Sequence, residues 1–365
     1  MENPFIYGTI VTGKHFVDRE GEIRELKSDL LSGQHVVLYS PRKMGKSSLI
    51  EETFRRIGNN AVCVRINVQN ATTKEGLARS MINEIVRKSY TSLEKLARET
   101  KEFFSRISVR AFVDAEGRIG VEPIFRERKE LLEDALEFPE RIGKKRKLIV
   151  AFDEFQEIER LDGIEMERVM RATMEKHRNV TYLFSGSERH LISLIFENKE
   201  RPFYRFGKMV KLGPIERKEL EKFVVEKFRE TGKKIEEKAV NFIIDFSEGI
   251  PFYVQALCHE AWNIGGNVDI ETARKAMGKI ISSFSSGYDL IWRSIKSEYQ
   301  RKVLVAMAVE DRSFAPNMEL IEKYELKTAA HLRKAMDALQ EKGLICQNRI
   351  EDFIFREWIK LTKVV

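Results

Sequence analysis

HVVLYSPRKMGKSSLI, residues 35–50, reads as an apolar strand, a loop, and a helix opening on Gly45-Lys46-Ser47. A phosphate loop needs backbone N–H groups turned toward one point, a helix N-terminus behind them, and a lysine for the outer phosphates. Gly45 lets the backbone approach closely, Lys46 supplies the charge, and Ser47 supplies a hydroxyl for Mg2+. Ser40, Pro41, Arg42, Lys43, Met44, Gly45, Lys46, Ser47 and Ser48 are therefore read as the residues that hold ATP or ADP with Mg2+. The stretch departs from G-x-x-x-x-G-K-[ST] at one place, where Ser40 replaces the first glycine. Serine is small, and Pro41 biases it toward extended backbone, so the replacement fits if its φ stays negative.

A second element belongs with the first. In KLIVAFDEFQEIERL, residues 147–161, Leu148 to Phe152 form a continuous apolar run, as expected of a strand buried on both faces. It ends in Asp153-Glu154. The first carboxylate is suited to orienting Mg2+ and its waters, and the second to polarising an attacking water as general base. The bland alternative is that the two acids open a solvated helix. A third strand, within NVTYLFSGSERH (179–190), ends in Ser185-Gly186-Ser187. The additional-strand class of P-loop ATPases places a polar residue here, beside the γ-phosphate. Ser185 is the first choice and Ser187 the second, with an ordinary polar turn as the alternative. His190 reads as a helix-surface residue. Glu154, Asp153, Lys46 and Ser185 form the expected catalytic set, with Ser47 and Asp153 toward the metal.

These motifs resemble the archaeal AAA+-like ATPases of the STAND class, distant relatives of the archaeal replication initiators, over nearly the whole chain. HFVDREGEI, residues 15–23, is similar to the family's F-x-x-R-E box. The resemblance implies that Phe16, Arg19 and Glu20 lie near the adenine or brace its pocket. Gly249-Ile250-Pro251 looks like the G-x-P motif that sets a lid helix against the nucleotide, which implies a binding role for Pro251. It also reads as a plain break between two helices. For an arginine finger, Arg201 and Arg205 are the candidates. Either could reach a neighbouring subunit's γ-phosphate, and either could be an ordinary surface arginine, so the oligomeric state stays open.

The fold expected is α/β: a P-loop NTPase parallel sheet, additional-strand and AAA+-like, with an all-helical lid and a C-terminal winged-helix domain. Residues 1–213 read as the nucleotide domain, with strands at 35–40, 61–68, 147–153, 180–185 and 209–212. An insertion at about 74–146 holds a helical pair (74–106), a hairpin turning at Ala115-Glu116-Gly117, and a helix over 126–142. Residues 214–290 read as the lid, with Leu220, Phe223, Val224 and Phe228 at core spacing. Residues 291–365 read as a helix-turn-helix followed by a wing, with wing strands near 344–347 and 352–355. Lys327, Thr328, His331 and Lys334 are the candidate contacts to duplex DNA. The block carries 14 Lys and Arg against 11 Asp and Glu, only mildly basic, so docking a protein partner is the competing use.

Bulk properties narrow the classes. The chain has 365 residues, 42% hydrophobic and 33% charged, enough for a large core. A net charge of +7 permits an anionic partner without requiring one. Lys144-Lys145-Arg146-Lys147 reads as a solvated loop, with nucleic-acid contact as the alternative. Cys63, Cys258 and Cys346 are scattered, which indicates neither a zinc site nor a disulfide framework, and they read as core thiols. No signal peptide or membrane span is visible, so a cytoplasmic location is expected. Two functional classes follow: an ATPase driving a conformational cycle on DNA, or a slow nucleotide switch awaiting a protein. A P-loop kinase fits less well, because no acceptor-binding motif stands out.

Overall fold

The structure is a computed structural model that describes residues 2–106, 108–124, 128–311, 314–346 and 348–364. It divides into two compact units. One comprises Ile6–Leu220 and Gly249–Phe252, the other Met1–Phe5, Glu221–Glu248 and Tyr253–Val365.

The first unit is built on five parallel strands: β1 (Val36–Tyr39), β2 (Val62–Asn67), β5 (Leu148–Asp153), β6 (Val180–Gly186) and β7 (Lys208–Lys211), in the order β2-β5-β6-β1-β7. β6 thus lies between the phosphate-loop strand β1 and the acidic strand β5, which is the additional-strand arrangement. Every residue of β5 and β6 is buried, because side chains alternate between two covered faces. Leu148, Val150 and Phe152 join Tyr182 and Phe184 in one core, under helices Lys74–Ser89, Arg128–Gly143 and Gly163–Met174. Ile149, Ala151 and Leu183 join the opposite core, under helices Glu20–Ser32 and Lys46–Ile57.

The insertion holds helices Lys74–Ser89 and Leu93–Arg106, the antiparallel hairpin of β3 (Ser108–Val113) and β4 (Ile119–Ile124), and helix Arg128–Gly143. Residues 126 and 127 of the expected helix lie outside the described residues. Asp114 organises the hairpin turn by accepting from the N–H groups of Glu116 and Arg118 (3.1 and 2.8 Å). The basic run serves helix ends: Arg146 donates to Ser89 O (2.5 Å) and Lys147 to Leu31 O, satisfying carbonyls that a helix C-terminus leaves open.

In the second unit the helix Ile270–Ser294 runs unbroken through position 290. Residues 3–5 pack here rather than with the sheet: Phe5 lies against Phe223 and Phe228, and Asn3 donates to His259 O (3.0 Å). Helices Met318–Lys323 and Ala329–Glu341 form the helix-turn-helix, followed by the two-stranded wing β8 (Ile345–Cys346) and β9 (Arg349–Ile350). The expected second wing strand at 352–355 is instead the start of a helix, Phe353–Thr362. Asn348, at φ 63°, turns the chain early, so the return strand starts at 349. Asp352 then caps the helix by accepting from the N–H groups of Ile354 and Phe355. Of the cysteines only Cys258 is buried; Cys346, expected in the core, is exposed on the wing. Among the described residues, no helix is long and apolar enough to cross a membrane.

An ion-pair tetrad ties this unit together. Arg356 Nη1 lies 2.9 Å from Glu248 Oε1 and 2.5 Å from Asp311 Oδ1, and Arg349 Nη2 lies 2.9 and 3.1 Å from the same two oxygens. Glu248 and Asp311 both have positive φ, 52° and 47°. Close by in sequence, Tyr253 donates its hydroxyl to Asp352 Oδ1 (2.7 Å), and its ring meets Phe353 edge-on at 4.2 Å.

Candidate nucleotide site

The loop after β1 turns through two left-handed residues, Lys43 (φ 69°) and Gly45 (φ 85°). Open space surrounds the position a Cβ would take on Gly45, so within the chain glycine is required by conformation, not crowding. Ser40 is not among the positive-φ residues, and this is what lets it stand where glycine was expected. Its carbonyl and hydroxyl lie 3.1 and 3.4 Å from Lys46 Nζ, so the serine helps hold the lysine across the loop. Burial lowers the Lys46 pKa, and the nearby Glu154 and Asp153 oppose that shift.

Lys46 opens the helix Lys46–Ile57. Ser47 Oγ donates to Asp153 Oδ2 at 2.8 Å, joining the loop to the end of β5 across 106 residues. Ser185 Oγ, fully buried on β6, donates to Asp153 Oδ1. Glu154 sits one residue on in a left-handed conformation, φ 52° and ψ 48°, of the kind that bulky residues keep only where surroundings impose it. Its Oε2 accepts from Gln156 Nε2 (2.6 Å), Ser187 Oγ (2.8 Å) and Ser187 N (3.2 Å). The two candidate serines therefore divide the work, Ser185 on Asp153 and Ser187 on Glu154.

The remaining expected residues surround this centre. Arg19 is buried and braces the loop, donating to Met44 O (3.1 Å), Gly213 O (2.9 Å) and Glu22 Oε1 (2.9 Å). Glu20 is engaged elsewhere, by Arg56 (2.6 Å). Phe16 and Ile250 are half-buried against the core that contains Leu49 and Ile50. Pro251 begins helix Pro251–Ile264, and Gly249 before it has φ +70° with its carbonyl 3.4 Å from Ile215 N. Phe252 is flanked by Tyr7 (5.6 Å, edge-on) and by Lys43 Nζ, 5.2 Å from the ring centre. Met44 is buried, and Arg42 is mostly exposed, 3.7 Å from Glu188. The Ser48 hydroxyl accepts from Val11 N (3.1 Å), which with Gly13 N to Glu52 Oε2 (2.9 Å) straps the N-terminal segment onto the loop helix.

Arg201 is not a free finger in this structure: it is buried, and its guanidinium is clasped by Glu167 and Glu159. Arg205 is exposed, at φ 54°. His190 is exposed on helix Arg189–Glu197, as expected.

Arg65 went unnoticed in the sequence. From β2 it donates Nη1 to Asp153 Oδ2 and Nε to Glu51 Oε1, both at 2.8 Å. Its signal was a lone charge in the apolar strand VCVRIN.

Comparison with known proteins finds two family models and a set of similar folds. The family model described as an ATPase domain predominantly from Archaea matches residues 16–257, and a probable winged helix domain matches 286–361. No curated protein matches significantly. Among solved structures, the Walker-type ATPase of Pyrococcus abyssi is similar with 19% identity and a TM-score of 0.67, covering 95% of this chain and 97% of that one. The Aeropyrum pernix ORC2 protein, in its ADPNP–ADP complexes, is 16% identical with a TM-score of 0.60 over 94% of each chain. The Aeropyrum pernix ORC1 protein in complex with DNA is 14% identical with a TM-score of 0.52 over 94% and 92%. At these identities the likeness is one of fold. The family match spans the phosphate loop, the acidic strand and the G-x-P segment, and the chain belongs to the ATPase domain family found predominantly in Archaea.

Proposed function

We propose that this chain binds ATP through the loop Ser40–Ser48, hydrolyses it with Glu154 as general base, and passes the nucleotide state to its winged-helix unit. The observation that carries the first part is the meeting of Ser47 and Asp153 at 2.8 Å, with Lys46 and Glu154 beside them. The donor set fits Mg2+: one hydroxyl and one carboxylate, both hard oxygen ligands. Among the described residues no group of three or more His, Cys, Asp or Glu side chains could hold a metal ion. Mg2+ suits such a sparse set because it keeps several waters and takes the rest of its ligands from phosphates. When bound, it would neutralise charge on the β- and γ-phosphates.

Coupling is supported by the path of the chain. Gly249–Phe252 belongs to the nucleotide unit, whereas Glu248 and Tyr253 on either side belong to the other. Both flanking residues are gripped there by winged-helix residues, Glu248 by Arg349 and Arg356 and Tyr253 by Asp352. A nucleotide that prefers one arrangement, present at about 100 times its Kd, stabilises that arrangement by ~2.7 kcal/mol. This is the behaviour of a STAND-type switch.

Duplex DNA is the partner favoured for the winged helix. Thr328 caps helix Ala329–Glu341, and Lys327, His331 and Lys334 are exposed around its N-terminal turns. The similar ORC1 protein is in complex with DNA. The second reading is a slow switch that docks a protein, favoured by the near balance of charge in this block. Steady-state ATP hydrolysis with and without duplex DNA, with Lys46→Ala as the blank, separates the two. Strong stimulation supports the DNA-directed ATPase, and slow turnover indifferent to DNA supports the protein-docking switch.

A further inference from the structure

Glu154 is held asymmetrically. Its Oε2 takes three hydrogen bonds, whereas no donor among the described residues reaches Oε1. The donors come from two buried residues, Gln156 (2% exposed) and Ser187 (6% exposed).

The Gln156 amide can face only one way. Turned over, it would set its oxygen against the carboxylate of Glu154. In the orientation present, Nε2 serves Glu154, and its own oxygen is buried with no hydrogen-bond partner. Leaving a buried acceptor unpaired is costly, because it forfeits the hydrogen bonds water gave it. That oxygen lies against Gly186, where an added Cβ would meet it at 2.4 Å. The glycine between Ser185 and Ser187 therefore leaves the room this amide occupies. A merely structural glutamine would gain by pairing both ends. This one leaves an acceptor unpaired while its donor stays on Glu154.

We infer that Gln156 and Ser187 are the positioning residues of the general base: they saturate Oε2 of Glu154 and leave Oε1 as the atom that takes the proton from water. This rests on Glu154 being that base. In the step, the water oxygen bonds to the γ-phosphorus and its proton passes to Oε1. The bond from the γ-phosphorus to the bridging oxygen of ADP breaks, its electron pair leaving with ADP, and the proton is later released to solvent.

The test is single-turnover hydrolysis alongside ATP affinity measured with a fluorescent analogue, in Gln156→Leu, Ser187→Ala, Ser187→Thr and Glu154→Gln. The expected result is ATP affinity within about threefold of wild type, with the hydrolysis step slowed ~10- to 100-fold in Gln156→Leu and Ser187→Ala. Ser187→Thr, which keeps the hydroxyl, retains most of the rate. Adding Gln156→Leu to Glu154→Gln slows hydrolysis no further, because Gln156 acts through Glu154. Unchanged or faster hydrolysis in both single variants would overturn the inference, as would a loss of affinity matching the loss of rate. Should Gln156→Leu fail to fold, the two Ser187 variants decide. Full activity in Glu154→Gln would sink the general-base reading itself, whereas an inactive Glu154→Gln beside active Gln156 and Ser187 variants sinks only this inference.

Discussion

Arg65 and Asp153, 88 residues apart in the chain, meet at 2.8 Å, on the same carboxylate oxygen that receives Ser47. The Asp153 side chain is 3% exposed, so the guanidinium neutralises a charge that water hardly reaches. Arg65→Met should lower stability without nucleotide by about 1–3 kcal/mol. ATP with Mg2+ should then raise the melting temperature more in the variant than in wild type, since the metal replaces the missing cation. Equal shifts in a thermal-unfolding series would show that Arg65 and the metal do not share Asp153.

Lys46→Ala should abolish tight ATP binding, because the outer phosphates lose their cation, and calorimetry with ATP and Mg2+ measures it directly. Glu154→Gln should bind ATP normally and hydrolyse it about 10²- to 10⁴-fold more slowly.

The tetrad predicts a strong stability effect far from the phosphate loop in sequence. Burial alone would raise the Glu248 pKa, but Arg356 and Arg349 outweigh it and hold the carboxyl below its ordinary value. Removing Arg356, whose side chain is 7% exposed, leaves Glu248 and Asp311 close together with Arg349 as their shared cation. Arg356→Ala should cost ~3–5 kcal/mol in urea unfolding. Arg356→Lys should recover part of that, since one ammonium cannot reproduce the fork of a guanidinium.

His35 provides a pH dependence. It is packed between Tyr182 and Phe206 and accepts from Tyr182 N on Nδ1 (3.2 Å). Burial first, then Arg171 and His177, lowers its pKa from 6.5 to about 4. The unfolded chain takes up this proton below 6.5, while the folded chain waits until about 4. The stability from keeping the ring neutral is therefore full above 6.5 and is lost as the pH falls toward 4. The urea midpoint should drop over that interval, and less steeply in His35→Gln. Parallel curves for the two proteins would assign the acid sensitivity to other groups.

What the sequence made legible was local. The three central strands β1, β5 and β6 announced themselves through buried apolar runs, and the loop and the acidic pair were contiguous motifs. The misread wing shows the limit. DFIF is too short for its period to separate strand from helix. The matter was decided by the turn at Asn348 and by the Asp352 cap. Arg201 shows the other limit, since its partners Glu159 and Glu167 lie 42 and 34 residues away. Arg65 and Gln156 likewise gain their meaning only once β2, β5 and β6 lie side by side.

The strand order also bears on how the protein is made. β1 pairs with β6 and β7 alone, so Val36 finds its neighbours at Leu183 and Lys208. On the ribosome the phosphate-loop strand leaves the exit tunnel well before either partner: Leu183 lies 147 residues after Val36 (183 − 36) and Lys208 172 (208 − 36). Through that interval VVLY is an unpaired hydrophobic strand, the kind of segment that chaperones shield. A nascent chain stalled before β6 should neither retain ATP nor escape aggregation, so the capacity to bind nucleotide doubles as a signal that synthesis has passed that strand.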